Sequence, residues 1–171
     1  MPGQDRSTPL HWAGDYRKTI AHRKMIALHG KRNKSRDTEP AMSEENVEQA
    51  RTLYDLFNQR GVPPWEFIHS DVVFDASNIV GLGVLKGREE ALSGLREYTA
   101  AWEEWRIEPE EFLDAGDQVM ATVLDGGRLK ATGTEVHNRF YNVLTFRDGK
   151  LTHWKTFTVR SEALEAAGLS G

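Results

Sequence analysis

The segment Asn142-Val143-Leu144-Thr145-Phe146-Arg147-Asp148-Gly149-Lys150-Leu151-Thr152-His153-Trp154 is two alternating runs joined by Arg-Asp-Gly-Lys. A tight hairpin turn needs positive φ, which Asp and Gly tolerate, so Asp-Gly between alternating arms specifies an antiparallel hairpin. Alternation then sorts the side chains by face. Asn138, Phe140, Asn142, Leu144 and Phe146 share one face of the first arm, and Thr152, Trp154, Thr156 and Thr158 line up on the second. An apolar face with two carboxamides, a Trp and several hydroxyls has the character of a pocket lining more than of a sealed core. The opposite face carries His137, Arg139, Tyr141, Val143, His153, Lys155 and Phe157, a polar and aromatic mixture suited to an interface.

Helical patterning precedes this hairpin. Val47, Ala50, Leu53, Tyr54 and Phe57 recur at helical spacing, with Ser43 expected as N-cap and Gly61 as the stop before Pro63-Pro64. A short helix is expected over Trp65 to His69, a strand over Asp71 to Ala76 and a loop over Ser77 to Gly87. A helix follows over Arg88 to Trp102. Extended segments are read over 104–114, Gln118–Asp125, Arg128–Phe146 and Lys150–Val159, joined by Gly-containing turns. Ser161 is expected to cap a last helix, Glu162 to Ala167, closed by Gly168. Helices lead and strands follow, which gives an α+β class with an antiparallel sheet.

The net charge of −4 hides an asymmetry. Residues 1–41 hold nine Lys/Arg against four Asp/Glu, and the remainder 13 against 22. An acidic body lacks the basic patch that meets phosphates, so no nucleic-acid partner is expected. Residues 1–41 read as a basic, coil-like extension and 42–171 as the folded domain, with Met42 as its natural start. No apolar run approaches the roughly 18 residues of a membrane span, and no secretory h-region is evident. No membrane association is expected, and a cytoplasmic location is the default. The absence of Cys excludes disulfides, thiolate metal sites and cysteine nucleophiles.

Particular motifs carry a family resemblance. They are Asn46-Val47 through Tyr54-Asp55-Leu56-Phe57-Asn58, Phe74-Asp75-Ala76-Ser77, Lys86-Gly87-Arg88-Glu89, Asp114-Ala115-Gly116-Asp117 and Phe146-Arg147-Asp148-Gly149-Lys150. Together with the tail Ser161 to Leu169 and the element order, they resemble SnoaL-like proteins of the nuclear transport factor 2-like superfamily. The resemblance covers about 43–169. It implies a cone-shaped, curved antiparallel sheet wrapped around N-terminal helices, with a cavity between them. It also implies a homodimer through the outer sheet face. Members include polyketide cyclases, ketosteroid isomerases, dehydratases, epoxide hydrolases and non-catalytic binding or dimerisation modules.

Ketosteroid isomerases use an Asp base on the first strand, and a Tyr with a protonated Asp as oxyanion hole. Laid against this chain through the hairpin, the oxyanion-hole Asp falls on Asn142, the Tyr on Leu53 beside Tyr54, and the base on Ala76 beside Asp75. Asn142 can donate a hydrogen bond but cannot titrate. Asp75 can serve as base if a bulge or shifted register turns it inward. Otherwise Phe74 and Ala76 point in, and Asp75 pairs with a cation or caps a turn. Tyr54 either reaches the cavity with its hydroxyl or packs.

The candidate catalytic set is therefore Asp75, Asn142 and Tyr54. Phe74, Trp105, Asn138, Phe140, Trp154, Thr156 and Thr158 are candidate ligand contacts. His137 and His153 share the outer face without an evident third ligand, so an interface reading is preferred to a metal site. Glu108, Glu110 and Glu111 read as the solvated edge of the sheet. No phosphate loop, nucleophile elbow or zinc-ligand spacing is present, and no cofactor or metal is expected. The expected function is binding of a small apolar organic molecule. Cofactor-free lyase, isomerase or cyclase chemistry by proton transfer stands beside a non-catalytic binding or dimerisation module as the alternative.

Overall fold

The computed structural model describes residues 39–170, with side chains from residue 43 onward. Residues 1–38 of the expected basic extension lie outside the described residues. In chain order the elements are α1 (Glu39–Arg60), a 3-10 turn (Trp65–Phe67), β1 (Ile68–Asp75) and β2 (Val84–Lys86). Then come α2 (Gly87–Thr99), β3 (Trp102–Ala115), β4 (Gln118–Leu129), β5 (Glu135–Arg147), β6 (Lys150–Phe157) and α3 (Arg160–Ala166).

Helix α1 buries the apolar stripe read from its spacing: Ala50, Leu53, Tyr54 and Phe57 are all in the core. It ends at Gly61, whose φ of +67° suits the left-handed closure, and the Gly61 N–H bonds to Phe57 O at 2.8 Å. Its start differs from expectation. Ser43 is a buried residue inside the helix and not its N-cap, because the helix begins at Glu39, with Pro40 in the first turn where no N–H is required. Ser161 is likewise inside α3, whose N-cap position falls on Val159. The expected helix at Trp65 to His69 contracts to one 3-10 turn, since Ile68 and His69 already belong to β1.

The sheet runs β2-β1-β6-β5-β4-β3. All neighbours pair antiparallel except β1 and β6, which are parallel. No hairpin joins those two, so no tight turn dictates their relative direction. The curved α+β architecture is as the resemblance implied. The hairpin forms with Arg147 opposite Lys150, and Asp148 (φ 50°) and Gly149 (φ 69°) make the two-residue turn. A register shift next to it puts Leu151, fully buried, opposite Phe146, and leaves Thr152 half-buried.

The largest departure lies in β4. Asp125-Gly126-Gly127 reads as a turn, yet the strand continues through it to Leu129. Gly126 and Gly127 have φ of +152° and +151°, conformations that side chains resist. A Cβ on Gly126 would overlap the Val136 carbonyl oxygen, and one on Gly127 the Glu104 carbonyl oxygen. The two glycines let three strands close up where any other residue would separate them.

Two apolar clusters flank the sheet. The larger joins α1 to the inner face through Leu53, Tyr54, Val72, Val119, Val123, Leu144 and Leu151. The smaller lies on the outer face, where α3 covers Met120, Val143 and Phe157 with Ala163 and Ala167. On edge strand β3, Glu110 holds Arg139 (2.8 and 3.0 Å) and Glu111 holds Arg160 (2.7 Å). These edge carboxylates are thus paired with cations as well as solvated.

Candidate functional site

A cavity of about 110 Å³ opens between the helices and the inner face of the sheet. Helical spacing brings Leu53 and Phe57 of α1 and Ala91 and Leu95 of α2 to its wall. Strand alternation brings Ile68, Phe74, Ile107, Phe140 and Trp154. Pro63 and Pro64, with Ile79 and Leu82 of the loop after β1, complete the apolar surface. The polar lining residues are Tyr98, Asp125, Asn142 and Thr156, joined by the indole N–H of Trp105.

Asn142 is held from both sides. Its Nδ2 donates to the Tyr54 hydroxyl at 3.0 Å, and its Oδ1 accepts from the Thr156 hydroxyl at 2.9 Å. All three residues are buried. A carboxamide has two N–H donors and Tyr54 takes one, so the other can serve a ligand. Tyr54 itself does not line the cavity. It lies behind Asn142, its ring against Trp154 (5.2 Å between centroids) and Phe112 (5.9 Å). Burial pushes its phenol well above the ordinary range, so it is neutral and acts by fixing the amide.

Asp125 was absent from the sequence-derived set, and among the described residues it is the one carboxylate in the wall. It is only 4% exposed, and its Oδ1 accepts from the Tyr98 hydroxyl at 2.7 Å and from Trp105 Nε1 at 3.2 Å. Burial raises its pKa, and the two donors pull in the opposite direction. Desolvation and the neighbouring carboxylate also hold the Tyr98 phenol above its ordinary value. One signal could have found it: Val119, Ala121, Val123 and Asp125 occupy every second position of one strand, so Asp125 shares the face of three core residues. The Gly-Gly that follows hid that pattern by resembling a turn.

Asp75 is elsewhere. After an irregularity between Ile68 and Val73, β1 pairs with β6 so that Phe74 lies beside Trp154 and Asp75 beside Lys155. Parallel neighbours share a face, so Phe74 enters the cavity wall (ring centroid 5.7 Å from Trp154) and Asp75 goes to the other side. There it accepts from Ser77 Oγ (2.6 Å) and Ser77 N (3.2 Å), and pairs with Lys155 at 3.4 Å. The Ser77 hydrogen bonds, aided by Lys155, hold its carboxyl below the usual range. The expectation of Asp75 as a base inside the cavity is therefore corrected: it caps a turn and pairs with a cation.

Phe74, Trp105, Phe140, Asn142, Trp154 and Thr156 come together as lining. Asn138 and Thr158 do not. Both are exposed, Asn138 near the open end of β5 and Thr158 just beyond the last residue of β6, where alternation no longer places side chains. Among the described residues no group of three or more His, Asp or Glu could hold a metal, and no helix is long and apolar enough to cross a membrane.

A protein of unknown function from Burkholderia pseudomallei with a nuclear transport factor 2-like fold is 21% identical. It matches over 71% of this chain and 95% of its own, with a TM-score of 0.58. TerC, co-crystallised with polyporic acid, is 22% identical over 72% of this chain and 98% of its own, at a TM-score of 0.57. A protein of ketosteroid isomerase-like fold from Catenulispora acidiphila, in complex with trimethylamine, is 20% identical over 78% and 96%, at 0.50. At such identities these structures establish the fold alone. No curated protein gave a significant match. The family model of the SnoaL-like domain matches residues 50–154, the stretch that holds the cavity wall from Leu53 to Trp154. The chain belongs to the SnoaL-like domain family.

Proposed function

We propose that this domain binds a small, largely apolar organic molecule in the cavity, oriented by two polar points in its wall. The observation that carries this reading is the contrast within the lining: apolar and aromatic side chains surround Asp125 at one point and the Tyr54–Asn142–Thr156 chain at another. Apolar walls supply affinity, and a few fixed polar groups supply orientation. Asn142 offers its second N–H to a carbonyl or hydroxyl, and Asp125 offers Oδ2, to which no described residue donates. Two structures of the same fold were obtained with small organic molecules, polyporic acid in one and trimethylamine in the other, which supports the reading by analogy.

A second reading follows from Asp125 itself. A buried carboxylate with a raised pKa in a cavity is poised for proton transfer, so lyase, isomerase or cyclase chemistry would run through Asp125, with Asn142 stabilising developing negative charge. A homodimer would use what α3 leaves uncovered of the outer face: His137, Arg139, His153 and Lys155. Light scattering on the purified chain tests it.

The binding reading is tested by filling the cavity. Ala91 is buried in its wall, and Ala91→Phe occupies the space a ligand needs. The expected result is loss of tryptophan-fluorescence response to a panel of small aromatic and alicyclic compounds. Overpacking should cost about 1–3 kcal/mol in stability, with the circular dichroism spectrum retained. An unchanged response to every binding compound would place the site elsewhere.

A further inference from the structure

Among the described residues Asp125 has no counter-charge. The side chains around it are Trp105 and Ile107 from β3, Tyr98 from α2, Phe140 and Asn138 from β5, and Tyr54 from α1 behind the wall. Of these only the two tyrosines titrate, and both are held neutral. Among the described residues no Lys, Arg or His lines the cavity. An ionised carboxylate in such a place is costly unless paired, so the missing partner is a property of the site.

Two hydrogen-bond donors favour the ionised acid. Tyr98 and Trp105 both aim donors at Oδ1, and a carboxylate accepts such bonds better than a neutral acid does. Oδ2 receives no donor from the described residues. Around the carboxylate the rings of Trp105 and Tyr98 stand at 90° with centroids 6.1 Å apart, and Phe57 meets Trp105 at 72° and 5.4 Å. Tyr98 and Trp105 present their O–H and N–H edges to Oδ1, which leaves Oδ2 to attract a cation, most strongly where water is excluded. Resting on the cavity being a small-molecule site, we infer that its ligand is a protonated hydrophobic amine. Its ammonium meets Asp125 Oδ2 among the rings of Trp105 and Tyr98, and its hydrocarbon body lies on the apolar wall.

The experiment compares N,N-dimethylbenzylamine with N,N-dimethylbenzamide, a neutral compound of similar size that offers only a carbonyl. Calorimetric titration of the full chain at pH 7 should give at least about tenfold tighter binding of the amine, the scale of one hydrogen bond between charged groups. Asp125→Asn keeps an acceptor for both donors and should abolish the preference. The amine stays protonated on acidification, so its affinity should fall as Asp125 takes up a proton. Tyr98→Phe keeps the ring but removes a donor that favours the ionised acid, and should move that loss to higher pH. Tighter binding of the amide, or a preference that survives Asp125→Asn, overturns the amine assignment and leaves the small-molecule cavity standing. Binding of neither compound, nor of any in the panel used for Ala91→Phe, overturns both.

Discussion

The end of β1 and the middle of β4 each carry an aspartate, and the two have opposite electrostatic fates. Asp75 is offered two hydrogen bonds by Ser77 and a nearby Lys155, in a partly exposed position. These partners favour its charge and lower its pKa. Asp125 also receives two hydrogen bonds, from Tyr98 and Trp105, yet it is buried with no cation beside it among the described residues, and desolvation outweighs them. Equal numbers of donors thus accompany shifts of opposite sign. Burial and the presence of a counter-charge decide which carboxyl is an ordinary surface acid and which is a poised one.

The sharpest way to break this contrast is to disturb the path of β4. Gly127→Val would overlap the Glu104 carbonyl oxygen in a conformation hostile to side chains. We expect a loss of several kcal/mol, on the order of a whole domain's stability, seen as absence of a cooperative denaturant transition. A normal transition would mean that β3 can separate from β4 there without consequence.

Next in size is Asp125→Asn. A folded pKa above the unfolded value means that Asp125 contributes stability below the unfolded pKa of about 3.9, and that this contribution is lost as pH rises through the folded pKa. The asparagine variant should therefore be more stable than the parent at neutral pH, within the roughly 0.5–3 kcal/mol range of ordinary single substitutions. The gain should vanish on acidification. Melting curves from pH 3 to 8 check this, and a variant less stable than the parent at pH 7 contradicts it.

The smallest effect belongs to Asp75→Asn, with the opposite pH dependence. A lowered pKa gives stability above the unfolded value of about 3.9, lost as pH falls through the folded pKa. The ion pair with Lys155 is largely solvated, so the cost at neutral pH should stay below about 1 kcal/mol. Ligand affinity should be unchanged. An affinity loss like that of Asp125→Asn would restore Asp75 to the site.

Much of the site was legible because alternation is a local property. Phe140, Asn142, Trp154 and Thr156 needed only the period of two and the Asp-Gly turn to be assigned one face. Asn138 and Thr158 obey the same arithmetic but lie where the wall has ended, and strand length against the helices is not written in the period. Asp125 was obscured because Asp-Gly-Gly has the composition of a turn. Only the close approach of β3 and β5 shows that the glycines serve packing there.

Taken alone, the sequence determined the α+β class, the buried stripe of α1, the hairpin and the identity of its cavity face. Each follows from short-range periodicity and from turn residues whose φ preferences are intrinsic. The tertiary structure decided which aspartate enters the cavity. That choice rests on the parallel register of β1 against β6, which sets Phe74 beside Trp154 and Asp75 beside Lys155, and on the desolvation of Asp125 against Tyr98 of α2.

 Pairing partner and loss of solvent are long-range properties: they exist only once distant segments have met, and no local pattern in the chain encodes them.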